Sequence, residues 1–352
     1  MALPHVMLDD AGSAILLDAL EHEARLNDTG RALTERFLSR LREVRAQLVE
    51  YVERHPDVRD VTIDAPLFVT GAPRAGTTLL FALLAEDPRH RAPLGWELLL
   101  PVPPPIGDDD AARVARAEHE LRAMANATGG SLDAIHTYGA LLPKECLSAM
   151  SFVYRSEEFT ARYHVPTYVQ WLQSCDMGPA YEVHRLVLQV LQHTATGGDG
   201  PRRWVLKSPV HIHSLPTLFT VYPDARVVVN HRDPAEVLGS VNSLVATLRS
   251  AHSDHVDVEG IARYHADLYG RSLDALVDVA DDRVHHVRYA DLAADPVAVV
   301  RNVYAALDLP LPADADARMR AYVAAQPRPT HPYETARTVD DRFARYRRAF
   351  DV

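Results

Sequence analysis

The chain has 352 residues, with 37 Lys and Arg against 48 Asp and Glu, so its formal net charge is −11. At 47% hydrophobic and 24% charged residues it has the make-up of a folded globular protein, which excludes wholesale disorder and the fibrous classes. The acidic balance excludes nucleic acid as the main partner and disfavours a long polyanionic sugar, while leaving room for a local basic pocket that takes one small anion.

Two cysteines, Cys146 and Cys175, have no metal-site spacing and cannot form a disulfide framework, which predicts a reducing compartment. The N-terminal stretch has no basic leader region, and Asp9, Asp10, Asp18 and Glu21 interrupt its apolar residues, so neither a signal peptide nor an anchor is expected. No run reaches the ~18 uninterrupted apolar residues of a membrane span, and the expected location is the cytoplasm.

In chain order, Leu33, Phe37, Leu41, Val44, Leu48 and Val52 recur at spacings of three and four, which puts them on one face of a helix that Pro56 ends. The period then changes. Leu67–Thr70 is a short apolar strand, Gly71–Gly76 a glycine-containing turn, and Thr77–Leu84 a run of helical length. Further strands are predicted at Trp204–Leu206, Arg226–Val229 and Val284–Tyr289, with helical patterns between them. This alternation predicts a mostly parallel central sheet covered on both faces. Residues 96–200 break the rhythm with Pro101, Pro103, Pro104 and Pro105, an acidic run at Asp108, Asp109 and Asp110 read as a solvated loop, and mainly helical material. The organisation that follows is a single domain. A helical N-terminal extension covers 1–64, a nucleotide-binding core 65–95 and 201–310, a helical insertion on the acceptor side 96–200, and a C-terminal segment 311–352.

Gly71-Ala72-Pro73-Arg74-Ala75-Gly76-Thr77-Thr78 has the spacing of a phosphate-binding P-loop, with Thr77 where the usual Lys stands. The anion cradle survives that change: glycines let the backbone approach, successive N–H groups converge, and the helix N-terminus adds positive potential. What is lost is the Lys that reaches the β/γ-phosphates, so the loop suits the terminal phosphate of another nucleotide better than a triphosphate.

At this point the sequence resembles a known family. The loop is similar to the 5′-phosphosulfate loop of sulfotransferases that use 3′-phosphoadenosine 5′-phosphosulfate (PAPS) as donor, closest to the bacterial type with a Pro-Arg-Ser-Gly-Thr-Thr loop. Here Ala75 stands in place of the Ser, which removes a hydroxyl and keeps the backbone cradle. Asn230-His231-Arg232-Asp233-Pro234 follows a strand, with Ser240 eight residues beyond Arg232, and resembles the segment whose Arg and Ser hold the donor's 3′-phosphate. Trp204–His211 resembles the strand that ends in Lys, here Lys207. Tyr289–Pro296 resembles the segment whose Tyr lies near the adenine. His331-Pro332-Tyr333, Phe343 and Tyr346 resemble the family's C-terminal end, and the glycine-rich closing loop of cytosolic animal sulfotransferases is lacking.

The resemblance implies an α/β, P-loop NTPase-like three-layer fold, PAPS as donor with PAP as product, a hydroxylated small-molecule, glycolipid or carbohydrate acceptor, and no metal. It implies that Arg74, Ala75, Gly76, Thr77 and Thr78 bind the 5′-phosphosulfate, Arg232 and Ser240 the 3′-phosphate, and Tyr289 the adenine. Sulfuryl transfer asks for in-line positioning and charge stabilisation, for which Lys207 and Arg74 are the candidates. The acceptor hydroxyl needs a general base. In the family that the chain resembles, this is a Glu shortly after the loop's helix or a His near the Lys-bearing strand, so the resemblance implies Glu97 first and His211 second, with His136 a third candidate. His211-Ile212-His213 has no third ligand at a fitting spacing, and His285 and His286 point to opposite sides of a strand, so neither pair predicts a metal. Phe152, Tyr154, Phe159, Tyr163, Tyr168 and Trp171 are expected mostly in the core, with some open to walling an apolar acceptor pocket. The competing readings are a P-loop nucleotide kinase or NTPase, against which the missing loop Lys counts, and a non-catalytic nucleotide-binding protein of the same fold. The oligomeric state is not legible in the sequence.

Overall fold

The computed structural model describes residues 11–105, 110–132, 138–193, 202–325 and 341–352. Its centre is a five-stranded sheet of β1 (Leu67–Thr70), β2 (His90–Arg91), β3 (Arg203–Lys207), β4 (Arg226–His231) and β5 (Val284–Arg288), in the order β2-β3-β1-β4-β5 with every pair parallel. β1 lies in the middle, with Leu67 opposite Val205 of β3 on one side and Arg226 of β4 on the other. β4 and β5 run two positions further, pairing Asn230 with Val287 and His231 with Arg288.

Side chains alternate between the faces as the strand period requires. Leu67, Val69, Val205, Val228 and Val287 enter one buried cluster, while Phe68, Trp204, Leu206, Val227 and Val229 enter the other. The structure is therefore the expected α/β sandwich of helices on both faces of a parallel sheet.

The N-terminal helices are α1 (Ala11–His22) and α2 (Asp28–Arg54). Asn27 caps α2 by accepting from the Gly30 N–H at 2.8 Å, and Phe37, Leu41, Val44, Leu48 and Val52 form its buried stripe. α3 (Thr77–Ala85) follows the glycine turn, and α4 (Gly95–Leu99) follows β2. Between β2 and β3 the chain adds α5 (Ala111–Ala127), α6 (Glu157–Arg162), α7 (Pro166–Leu172) and α8 (Gly178–His193). Their buried residues join the same cluster as α1 and α2, so this face of the sheet carries one continuous core. Phe152, Tyr154, Phe159, Tyr163 and Tyr168 are all buried there, and Trp171 packs against them. The remainder is α9 (Leu215–Val221), α10 (Pro234–Ser250), α11 (Val258–Leu276), α12 (Pro296–Ala306), α13 (Ala315–Ala325) and α14 (Ala344–Phe350).

Three details differ from expectation. β2 is a fifth strand of two residues at the sheet edge, too short and too polar for an apolar pattern to reveal. Tyr289 is not the last residue of β5 but the first of a short helix, Tyr289–Ala294. Asp110 is not solvated: it is buried and ion-paired with Arg113 at the start of α5. Asp108 and Asp109, like His136 and His331–Tyr333, lie outside the described residues.

Candidate active site

Parallel sheets place their loops for ligand binding at the carboxyl ends of the strands, and the chemistry-bearing side chains gather there. The turn after β1 has two glycines with a physical reason to be glycine. Gly71 has φ +141°, and a Cβ there would come within 2.3 Å of the Asn230 carbonyl oxygen. Gly76 has φ +89°, and a Cβ would meet the Tyr289 ring at 2.7 Å and the Asn230 amide at 3.0 Å. Arg74 also adopts a left-handed conformation, φ 69°, which a non-glycine residue holds only when its surroundings compel it. The compulsion is visible: its carbonyl accepts from the Arg232 guanidinium at 3.1 Å, and the Ala75 carbonyl accepts from Asn230. α3 then begins at Thr77, where the Leu79 and Leu80 N–H groups both donate to the Gly76 carbonyl, at 3.1 and 3.2 Å, and the helix N-terminus adds positive potential at the turn.

The Arg232 guanidinium lies 4.0 Å from the centroid of the Tyr289 ring and is held by Glu236 at 3.1 Å. Gly76, Asn230, Arg232 and Tyr289, from the ends of β1, β4 and β5, thus form one wall of a cradle. Ser240 lies two turns further along, partly exposed on α10.

Lys207 ends β3. Its side chain is only 5% exposed, and its ammonium donates to Thr78 Oγ1 at 3.3 Å and to the Glu145 carboxylate at 2.5 Å. A P-loop without its own lysine therefore receives a cation from the neighbouring strand. Glu145 is there because the Cys146 N–H donates to the Lys207 carbonyl at 3.0 Å, which pins this part of the insertion along the end of β3. The sequence offered no signal for Glu145: it sits in an aperiodic Pro-Lys-Glu-Cys stretch, 62 residues from its partner.

The two favoured bases are placed differently. Glu97 is 4% exposed and both its oxygens are occupied, one by Arg91 at 2.6 Å and the other by the Leu94 N–H at 2.8 Å. It caps the start of α4 and anchors β2 to it. His211 is fully buried, edge-on to Phe68 at 5.0 Å, and its Nδ1 pairs with the Tyr181 hydroxyl at 2.9 Å. Burial, with smaller effects from His184 and His213, holds its pKa far below the ordinary histidine value. His213 turns elsewhere, with Nδ1 on Ser272 Oγ and Nε2 3.3 Å from Glu157. Glu157 itself is pushed up to about 7, first by burial and then by the charge of Glu145. Among the described residues no three His, Cys, Asp or Glu side chains are grouped to hold a metal, and no helix is long and apolar enough to cross a membrane.

Known proteins share this fold. Residues 66–313 match the sulfotransferase family. Over 267 residues the chain is 30% identical to the omega-hydroxy-beta-dihydromenaquinone-9 sulfotransferase Stf3 of Mycobacterium bovis, and to that of Mycobacterium tuberculosis. The match takes in 71% of this chain and 64% of each relative, so the chain spans a little under two thirds of their length. The crystal structure of sulfotransferase STF1 from Mycobacterium tuberculosis superposes with a TM-score of 0.78 at 29% identity, over 95% of this chain and 90% of the other. That of sulfotransferase STF9 from Mycobacterium avium gives 0.79 at 29% identity, over 97% and 91%. With the glycine turn, the strand-end lysine and the strand-end arginine all inside the matched stretch, the chain belongs to the sulfotransferase family.

Proposed function

We propose that the protein transfers a sulfuryl group from PAPS to the hydroxyl of a neutral, largely apolar alcohol. The observation that carries this reading is the Lys207 ammonium set between Thr78 of the loop and the Glu145 carboxylate. It joins a cation for the transferred group to a carboxylate for the acceptor proton at one strand end.

The residues present fit an adenosine 3′,5′-bisphosphate group. The absent Cβ of Gly76 lets the Tyr289 ring and the Asn230 amide close onto the loop, with the cation of Lys207 beside Thr78 and that of Arg232 over Tyr289. Arg74, Ala75, Gly76, Thr77 and Thr78 bind the 5′-phosphosulfate, Arg232 and Ser240 the 3′-phosphate, and Tyr289 the adenine. The donor supplies a sulfuryl group on a phosphate that leaves readily. The protein's part is alignment and charge. Lys207, fixed by two hydrogen bonds, offsets negative charge developing beside Thr78.

Glu145 takes the proton of the acceptor hydroxyl in this account. Glu97, whose oxygens are both engaged, serves the scaffold instead, and His211 faces the core. Glu145 has the advantage of being partly open, at 26% exposure, while keeping its charge beside a buried ammonium. A neutral acceptor is supported by the Glu145 carboxylate beside Lys207, which repels an anionic one. The compound for which the Stf3 relatives are named, a hydroxylated dihydromenaquinone, is a neutral, largely apolar alcohol.

The test is release of PAP from PAPS in the presence of a prenyl alcohol in detergent micelles, a simple phenol or a hexose. Acceptor-dependent release is expected with the prenyl alcohol. Release only with the hexose would refute the acceptor class, and magnesium-dependent ATP hydrolysis with no PAP release would refute the transferase reading.

A further inference from the structure

The C-terminal helix α14 is tied to the peptide that carries Arg232 at the residues on either side of it, His231 and Asp233. Tyr346 is buried, and its hydroxyl pairs with His231 Nδ1 at 2.8 Å. Arg347 Nε pairs with Asp233 Oδ1 at 2.8 Å, the oxygen that also caps α10 by accepting from the Ala235 N–H. Phe350 stacks on the His231 ring at 3.8 Å and 13°.

The two hydrogen bonds of His231 run in the same sense. Burial holds His231 and His286 below the ordinary histidine value, so both rings are neutral near pH 7. His231 Nε2 lies 2.8 Å from His286 Nδ1. With neutral rings the His231 tautomer sets both bonds together: either the Tyr346 O–H donates to Nδ1 and the Nε2–H to His286 Nδ1, or the His286 Nδ1–H donates to Nε2 and the Nδ1–H to the Tyr346 oxygen. α14 and the turn before it are anchored to α11 and the residues just after it: Arg345 bonds the Asp274 carbonyl and Asp278, and Arg342 bonds Asp267.

We propose that Tyr346, backed by Arg347, is a positioning residue for the donor's 3′-phosphate: it fixes the 231–233 peptide so that the Arg232 guanidinium is held over Tyr289 and against the loop carbonyl of Arg74. The inference rests on the assignment of Arg232 to the 3′-phosphate. It makes α14 part of the donor site although no residue of α14 need touch the donor. A side chain that acts this way affects recognition of one phosphate, whereas a purely structural one affects the whole nucleotide.

The experiment is calorimetric titration of PAP and of AMP, which lacks the 3′-phosphate, on the wild type, Tyr346→Phe, Arg347→Gln and Arg232→Ala. Phe keeps the packed ring and removes only the hydroxyl. Tyr346→Phe is expected to weaken PAP about threefold to tenfold, the range for losing one buried hydrogen bond, and to leave AMP within about twofold. Arg347→Gln should do the same to a smaller degree and, at a partly exposed site, guards against loss of fold in the first variant. If Arg232→Ala lowers the PAP to AMP preference while neither α14 variant does, the positioning role is overturned and the donor site stands. Equal losses for PAP and AMP would also overturn it. An unchanged preference in Arg232→Ala would overturn the assignment of Arg232 and this inference with it.

Discussion

Replacing Glu145 and Glu97 one at a time by Gln separates the proton acceptor from the scaffold. In Glu145→Gln the amide oxygen can still accept from Lys207, but the negative charge is gone and Lys207 remains only 5% exposed. Removing one partner of a fully buried pair costs about 3–5 kcal/mol, and the opening of Glu145 to solvent reduces this to about 1–2 kcal/mol. Losing the general base should lower kcat by about 10²–10⁴-fold. Glu97→Gln inverts the pattern. The Arg91 guanidinium, 15% exposed, loses its 2.6 Å carboxylate partner and keeps the Leu191 carbonyl at 3.1 Å and the Trp204 ring at 4.5 Å. Stability should fall by about 2–3 kcal/mol, while kcat stays within about threefold when assayed well below the melting point. The assay is PAP release from PAPS under saturating donor, with thermal melts of the same samples. A fully folded Glu97→Gln with kcat down a hundredfold, beside an active Glu145→Gln, would refute the reasoning.

Two further outcomes follow from the site. Gly76→Ala places a Cβ 2.7 Å from the Tyr289 ring at φ +89°, so it should cost about 1–3 kcal/mol and weaken PAP binding by tenfold or more in calorimetry; unchanged affinity would contradict the cradle. Glu157 has its pKa raised from 4.5 to about 7, so between those values the folded state holds more protons than the unfolded one and stability falls as pH rises. Glu157→Gln removes that penalty, so by thermal melts it should be more stable than the wild type at pH 8, by on the order of 2 kcal/mol, with the advantage gone near pH 4; a pH-independent difference would refute the burial argument.

Much of the fold is written in local patterns. β1, the glycine turn and α3 are legible together because a buried four-residue apolar run, a turn needing positive φ and an apolar helix differ in period and composition. β3 and β4 stand out for the same reason, since both are buried on two faces. β2 has no such pattern: its two residues are held by pairing with Arg203 and Trp204, a contact between parts of the chain more than a hundred residues apart. The candidate site divides along the same line. Arg74, Gly76, Lys207, Arg232 and Tyr289 are readable because each ends or follows a strand. Glu145 is not, because its place depends on a backbone hydrogen bond to the end of β3. Glu97 is ambiguous for the opposite reason: a Glu three residues after a helix N-cap is both a plausible base and a good cap, and the structure adds its partners, Arg91 and the Leu94 N–H. His231 and Tyr346, 115 residues apart, likewise become a pair only once α14 is docked.

The central claim is the donor site, and calorimetric titration of PAP against the wild type and Arg232→Ala tests it most directly, with ATP and magnesium as the comparison ligand. Loss of the charge-assisted contact should cost about 1.5–3 kcal/mol, or roughly tenfold to a hundredfold in affinity, and the wild type should prefer PAP over ATP with magnesium. No PAP binding, or a preference for ATP with magnesium that Arg232→Ala leaves untouched, would contradict the account.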